Sequence, residues 1–251
     1  MTRAIIYLLA IVAAEVAPVV SQPLLGIAFH TAILLAIIVD SALIKNYLQG
    51  RLVLSLAVVP LIRIISISLP LADIPQIWWY PIIYLPLLAA AIVLARLLNY
   101  RPKDIGITVG FLPVQLAVAL AGVAFGIAEY LILAPEPLVA ELTWQAAWLP
   151  ALILLFSTGF VEEFIFRGVL QRSAVNAFGG WGVVYVSFIF AILHIGWIEA
   201  ANPLSWIDVI FVFSIALFFG WVVSKTGSLL GVSLCHGITN IVLFIIAPFF
   251  F

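Results

Sequence analysis

Two adjacent glutamates, Glu162 and Glu163, interrupt an apolar stretch that is long enough to cross a membrane. Arg167 follows Glu163 by four residues, so these two side chains share one helix face and are expected to pair. Glu162 projects about 100° further round the same helix and is expected to point elsewhere. An ionised carboxylate at bilayer depth is costly, and it persists mainly where it is paired or takes part in chemistry. We therefore expect Arg167 to hold Glu163, and Glu162 to face a cavity.

Histidines interrupt two later apolar segments at a similar depth. His194 follows Phe190 by one helical turn, and His236 precedes Asn240 by one turn. Counted at ~1.5 Å per residue from the predicted helix ends, Glu162 lies ~15 Å deep and His194 ~21 Å deep. On the same count His236 and Asn240 lie ~12 and ~18 Å deep. In an apolar core ~30 Å thick, these four side chains share one central layer, where polar groups satisfy each other or surround water.

These residue types suit the activation of a water molecule. A poorly hydrated carboxylate takes up a proton more readily than one in bulk water, so Glu162 could act as a general base. A neutral histidine could orient the water, and a second histidine with an amide could stabilise a developing oxyanion. Glu162, His194 and His236 could equally hold a divalent metal, because two histidines and a glutamate form a known zinc-binding set. The residue types leave both chemistries open.

The composition is that of an integral membrane protein. Of the 251 residues, 66% are hydrophobic and 8% are charged, against about 25% charged in soluble domains. The single cysteine, Cys235, excludes an internal disulfide, and without a basic patch nucleic acid is not expected as a partner. We predict an all-α, polytopic transmembrane helix bundle whose surface contacts the lipid bilayer.

Apolar stretches and the turn-forming residues between them divide the chain into about nine spans of roughly 20 residues. Eight spans result if the short first stretch lies on the membrane surface. We treat 1–251 as a single membrane domain. The spans over 1–145 contain no motif that indicates a function, and we predict that the last four spans, 146–251, form the catalytic core. The predicted spans are 4–20, 24–44, 52–71, 77–98, 111–134, 146–172, 180–198, 205–224 and 228–249.

The joints between the spans alternate in charge. Basic residues fall at the N-terminus or at every second joint, whereas the intervening joints are acidic or, at Ser21, uncharged. The positive-inside rule therefore predicts a cytoplasmic N-terminus, in the cell membrane if the host is prokaryotic. The basic residues are Arg3, Lys45, Arg51, Arg96, Arg101, Lys103, Arg172 and Lys225, and the acidic ones are Asp73, Glu136, Glu141 and Glu199.

Several other polar residues fall within or close to the spans. We expect pairing, or side chains that reach the membrane surface, to account for the charged ones without a function. His30 is expected to hydrogen-bond between helices. The charged residues concerned are Glu15, Asp40, Arg63, Glu129 and Asp208.

Three motifs, taken in order, resemble those of the CPBP family, which groups CAAX-type prenyl-protein endopeptidases with bacteriocin-processing and abortive-infection membrane proteins. They are Glu-Glu-x-x-x-Arg at 162–167, Phe-x-x-x-His at 190–194 and His-x-x-x-Asn at 236–240. Each motif alone is weakly specific, whereas the ordered set on three separate spans is far more specific. The resemblance covers residues 146–251.

The resemblance implies an intramembrane endopeptidase that cleaves a membrane-associated protein or peptide. It implies that Glu162 activates water with His194 as its partner. It further implies that His236 and Asn240 stabilise the oxyanion. A metalloprotease mechanism is also associated with the family, so zinc stays an alternative to glutamate-activated water. The residues implied to support the site are Glu163, Arg167 and Phe190.

Two other functions are compatible with the pattern. A non-catalytic immunity or scaffold protein would keep the fold without cleaving anything, and a proton-coupled transporter could use Glu162 and the histidines as a relay. Transporters typically show repeat symmetry with broken helices in both halves, whereas here the polar residues cluster in the C-terminal part. The sequence contains neither a His-Glu-x-x-His zinc motif nor a Gly-x-Ser-x-Gly nucleophile motif.

Overall fold

Helices account for all the longer regular elements of the described chain. The structure, a computed structural model, describes residues 2–19, 22–195 and 203–251, and within these ranges it contains no strand. The predicted all-α bundle is therefore confirmed. The nine helices of the described ranges, apart from a short turn over Pro102–Ile105, are α1 (Thr2–Val19), α2 (Pro23–Leu43), α3 (Tyr47–Ser68), α4 (Gln76–Leu97), α5 (Leu112–Leu133), α6 (Trp144–Phe178), α7 (Trp181–His194), α8 (Pro203–Thr226) and α9 (Leu230–Phe249).

Seven of these helices, among the residues that the structure describes, are long and apolar enough to cross a membrane: α2 to α6, α8 and α9. The chain is thus an integral membrane protein, as its composition predicted. The helix α7 is shorter, at 14 residues. Which joints face the cytoplasm stays a prediction, and two of the joint residues, Ser21 and Glu199, lie outside the described residues, as does the end of the predicted span 180–198.

The predicted start of the third span is wrong, because a capping residue begins the helix earlier. The helix α3 starts at Tyr47 rather than at residue 52, since the side chain of Asn46 accepts a hydrogen bond of 3.0 Å from the backbone N–H of Gln49. The helix is interrupted at 56–57. Pro60 follows within one turn and supplies no N–H for the ladder, which explains the break.

The predicted end of the sixth span is also wrong. The helix α6 continues past Arg172 and extends over 35 residues, ending before Gly179, whose φ is +60°. No proline or glycine lies between residues 172 and 178 to stop it. Its middle part is widened into π-type hydrogen bonding over Leu155–Glu162 and Phe164–Leu170. Such widened turns occur frequently at functional sites, and here Glu162 ends the first stretch and Glu163 separates it from the second.

The helices α5 and α9 run side by side at close range because two glycines one turn apart face α9. A Cβ on Gly126 would lie 2.5 Å from the carbonyl oxygen of Thr239, and one on Gly122 would collide with the carbonyl of Cys235. The hydroxyl of Thr239 also donates a hydrogen bond of 3.3 Å to the carbonyl of Gly122. This small-x-x-x-small contact is the usual way in which membrane helices approach closely. It fixes the depth of Asn240 in the bundle.

A second glycine contact sets α6 against α9. A Cβ on Gly159 would lie 2.6 Å from the carbonyl oxygen of Ser233 and 3.0 Å from the Cα of Gly237. Glu163 lies one turn after Gly159, and His236 directly precedes Gly237. The contact therefore brings the glutamate motif and the second histidine motif face to face.

We expect Gly159→Ala to separate α6 from α9, because its methyl group would overlap backbone atoms that cannot rotate away. The free energy of unfolding should fall by about 1–3 kcal/mol, the usual cost of overpacking a close contact. Thermal unfolding of the purified protein in detergent measures the change. Gly180→Ala is the matched control, since a Cβ there meets nothing within 4 Å. Equal stability of the two variants would contradict this account of the helix contact.

The N-terminal helices are joined to the C-terminal ones by a buried charge network. The guanidinium of Arg63 on α3 lies 2.6 Å from Glu15 on α1, and the Nε2 of His30 on α2 lies 3.3 Å from the same carboxylate. Arg63 also donates a hydrogen bond to the carbonyl of Leu193. The expected ion pairing is therefore found for Glu15 and Arg63. The hydrogen bond from Arg63 to Leu193 also fixes the end of α7 next to His194.

Candidate active site

A cavity of about 480 Å³ lies among the helices. Its walls come from the C-terminal halves of α3, α5 and α7, the N-terminal half of α4, and the middle parts of α6, α8 and α9, so it extends from the middle of the bundle towards one end. The basic joints lie at the opposite end. All four residues predicted to be catalytic line this cavity: Glu162, His194, His236 and Asn240.

The imidazole of His236 lies between the two adjacent glutamates. Its Nδ1 is 2.9 Å from Oε1 of Glu163, and its Nε2 is 3.9 Å from Oε2 of Glu162. The other oxygen of Glu163 faces Nε of Arg167 at 3.3 Å, so the expected ion pair is present. As expected, Glu162 lines the cavity whereas Glu163 pairs with Arg167, and a ring from α9 reaches between the two carboxylates.

The contact with Glu163 determines the orientation of the His236 ring. A carboxylate accepts hydrogen bonds, so Nδ1 carries the hydrogen and donates a hydrogen bond to Glu163. Nε2 is then the ring atom directed to Glu162. Glu163 is fully buried and Arg167 is 2% exposed. This buried pair therefore holds the imidazole from the side away from Glu162.

The second imidazole is oriented by its own helix. Nδ1 of His194 lies 2.9 Å from the carbonyl oxygen of Phe190. Since a carbonyl only accepts, Nδ1 is the protonated nitrogen, and Nε2 of the neutral ring is an acceptor. The resemblance implied that His194 is the partner of Glu162. Among the described residues the imidazole that lies beside Glu162 is that of His236, and His194 forms no ion pair with this glutamate. Both residues nevertheless line the cavity.

Phe190 packs in the centre of the motif residues. Its ring centroid lies 4.8 Å from that of His194 and 6.1 Å from that of His236. The guanidinium of Arg167 lies 4.4 Å from the same ring, close enough for a cation–π contact. The phenyl ring thus sets the spacing of the two imidazoles and covers the buried arginine.

Sequence reasoning missed Tyr84. Its hydroxyl, on α4, donates a hydrogen bond to Oε1 of Glu162. Tyrosines near the ends of spans are typical interfacial anchors. Tyr84 lies near the start of a predicted span, so that role was expected for it and a place in the site was not. The only available signal was that Tyr80 precedes it by one turn on the same face. The site therefore extends beyond the last four spans, since α3, α4 and α5 also contribute to the cavity wall.

The charged residues outside the motifs differ in their surroundings. Asp40 pairs with Arg3, as expected. Glu129 and Asp208 instead line the cavity, and neither forms an ion pair with a described residue. Ion pairing, one of the two expected explanations, therefore does not account for these two carboxylates within the described ranges.

The predicted zinc set, Glu162, His194 and His236, lies along the cavity wall. Within the described ranges, no three His, Cys, Asp or Glu side chains stand together as a metal-binding group. In the predicted zinc set, Nδ1 of His194 is bound to a carbonyl and Nδ1 of His236 to Glu163. The described side chains therefore show no assembled zinc site, and a zinc-dependent mechanism stays an alternative to glutamate-activated water.

Comparison with known families gives one match. Residues 143–242 match the family described as Type II CAAX prenyl endopeptidase Rce1-like. The matched region contains all three motifs. No curated protein and no solved structure was found to match the chain.

Residues 143–242 thus form a domain of the Rce1-like type II CAAX prenyl endopeptidase family. The resemblance to CAAX-type proteases inferred from the motifs is confirmed. Membership of this family implies a protease, and proteins as its substrates.

Proposed function

We propose that the chain is an intramembrane endopeptidase that hydrolyses a peptide bond of a membrane-associated protein by means of water activated by Glu162. The observation that carries this proposal is the His236 ring, which lies between Glu163 and Glu162 in a cavity shared with His194 and Asn240. The family match over residues 143–242 supports the same class of reaction.

Glu162 is proposed as the general base. Its carboxylate takes a proton from water, and the resulting hydroxide attacks the carbonyl carbon of the substrate. The acceptor Nε2 of His194 binds the second hydrogen of the same water and so directs its lone pair. The hydroxyl of Tyr84 holds one carboxylate oxygen and leaves the other for the proton.

His236 and Asn240 are proposed to stabilise the tetrahedral intermediate. The amide of Asn240 donates one hydrogen bond to the oxyanion, and the Nε2–H of a doubly protonated His236 donates another. The neighbouring carboxylates balance the charge of that ring. When the carbon–nitrogen bond breaks, the proton on Glu162 passes to the leaving amine, which yields an acid and an amine and restores the carboxylate.

Glu163, Arg167 and Phe190 are proposed as positioning residues. They touch the His236 ring or its partner carboxylate. Their contribution is to keep the donor nitrogen in one orientation before substrate arrives, and this preorganisation is a large part of oxyanion stabilisation.

The direct test is cleavage of hydrophobic and single-span peptides by the purified full chain in liposomes, followed by mass spectrometry. We expect cleavage to survive exhaustive chelation, with residual metal measured in the same sample, because no step requires a metal. Activity that disappeared on chelation and returned with zinc would replace the glutamate mechanism by a metal-dependent one. A wild-type protein as inert as Glu162→Gln towards every peptide would favour the scaffold interpretation.

A further inference from the structure

Two carboxylates that the proposed mechanism does not use line the same cavity: Glu129 on α5 and Asp208 on α8. Asp208 is 8% exposed, and its Oδ1 is buried without a hydrogen-bond partner among the described residues. Burying a carboxylate without a partner is expensive. Such a group therefore indicates a binding function, and Asp208 lies on the wall of a cavity that has room for one.

No basic residue of the chain neutralises these two carboxylates. The sequence contains ten lysines and arginines, and all of them lie within the described ranges. Only Arg63 and Arg167 reach the cavity. Arg63 lies 2.6 Å from Glu15, and Arg167 faces Glu163 at 3.3 Å. Both arginines of the cavity wall are thus already paired with carboxylates that do not line the cavity.

Acidic groups outnumber the unpaired basic groups on the cavity wall. Glu129, Asp208 and Glu162 contribute three acidic side chains, and besides the two paired arginines the basic groups there are the imidazoles of His194 and His236. The joints at the same end carry exposed acidic residues and no lysine or arginine. A concave site surrounded by one sign of charge attracts ligands of the opposite sign. The exposed acidic residues are Asp73, Glu136 and Glu141.

The contact between α5 and α9 gives the distance of Glu129 from the proposed reaction centre. Gly126 packs against Thr239, and the two helices run in the same direction, so Glu129 is level with residue 242. That level is six residues beyond His236, or ~9 Å along the helix axis. An extended peptide covers ~3.3–3.6 Å per residue. A substrate residue roughly two to four positions from the cleaved bond would therefore lie beside Glu129.

We propose that Glu129 and Asp208 form an acidic subsite, which binds a lysine or arginine side chain of the protein substrate within a few residues of the cleaved bond. This proposal rests on the proposed function, since it names a class of substrate for the same cavity. The ammonium or guanidinium group supplies the missing hydrogen-bond donors for Oδ1 of Asp208 and adds charge-assisted bonds to Glu129.

Matched peptides test the subsite. Each pair differs only by lysine or its uncharged analogue norleucine at one position on either side of the cleaved bond. We expect kcat/KM of the wild-type protein to favour lysine at one position by at least about tenfold, as for a buried charge contact. In the double variant Glu129→Gln/Asp208→Asn the preference should fall below about threefold. Glu141→Gln, which does not line the cavity, should keep the wild-type preference.

The isosteric double variant retains side-chain volume, and its thermal unfolding shows whether it folds. A wild-type protein that cleaves peptides without preferring lysine would overturn the subsite while leaving the protease intact. A preference that persisted in the double variant would do the same. If no peptide is cleaved, binding of the fluorescent lysine and norleucine peptides to Glu162→Gln protein decides the question. Tighter binding of lysine that requires Glu129 and Asp208 supports the subsite, and equal binding refutes it.

Discussion

Replacing Glu162 by glutamine is expected to lower the rate of peptide cleavage by a factor of about 10²–10⁴ or more, because the variant lacks the general base. The glutamine keeps the size of the side chain and can still accept the hydrogen bond from Tyr84, so the fold should be unchanged. The measurement is kcat on a peptide that the wild-type protein cleaves, together with thermal unfolding of both proteins in the same detergent.

Two comparisons make this prediction specific. Glu136→Gln removes an exposed carboxylate at the same end of the bundle and should leave kcat within error of the wild type. Tyr84→Phe removes the hydrogen bond to Oε1 of Glu162 but keeps the base, so its loss should be smaller, about tenfold for one hydrogen bond to a charged group. Near-normal cleavage by Glu162→Gln would exclude Glu162 as the base.

Replacing Arg167 by methionine is expected to have the largest effect on stability. Glu163 is fully buried and Arg167 is 2% exposed, so the substitution leaves a carboxylate in the bundle without its cation. Breaking a buried ion pair by removing one partner costs about 3–5 kcal/mol. The free energy of unfolding, measured by titration with denaturing detergent, should fall by that amount.

The double variant Glu163→Gln/Arg167→Met separates charge from packing. Removing both charges should restore most of the lost stability, because a neutral pair of similar volume has no uncompensated charge. Cleavage should stay low, since the His236 ring loses the carboxylate that orients Nδ1. Arg172→Met is the control, because Arg172 is exposed five residues further along the same helix. A double variant as unstable as Arg167→Met would show that the ion pair is not the cause.

The order and approximate limits of the helices could be predicted from the chain because they depend on local properties. Apolar length decides where a segment can cross a membrane, and each predicted span corresponds to one helix. Residues 196–198, at the end of the predicted span 180–198, lie outside the described ranges. The two boundary errors were also local, at the Asn46 cap and at the continuation of α6 to Phe178. Depth along a helix is counted from its ends, and the count for Glu162 started at Arg172, six residues before α6 ends.

The contacts among the site residues could not be predicted, because they depend on the rotation of each helix and on segments that are distant in sequence. Tyr84 contacts Glu162 across 78 positions, and Arg63 contacts the carbonyl of Leu193 across 130. The imidazole beside Glu162 belongs to His236 rather than to His194, and this too depends on how distant helices pack against each other.

Residue types and their spacing were therefore sufficient to identify a membrane-embedded helix bundle and the three motifs of a CAAX-type protease. Hydrophobicity and helical periodicity are properties of neighbouring residues, and they can be read along the chain. The packing of α5 and α6 against α9 through glycine contacts then determined which side chains meet. That packing placed Glu129 and Asp208 on the cavity wall and both glutamates against one imidazole, because close contacts between distant helices fix their relative rotation and depth.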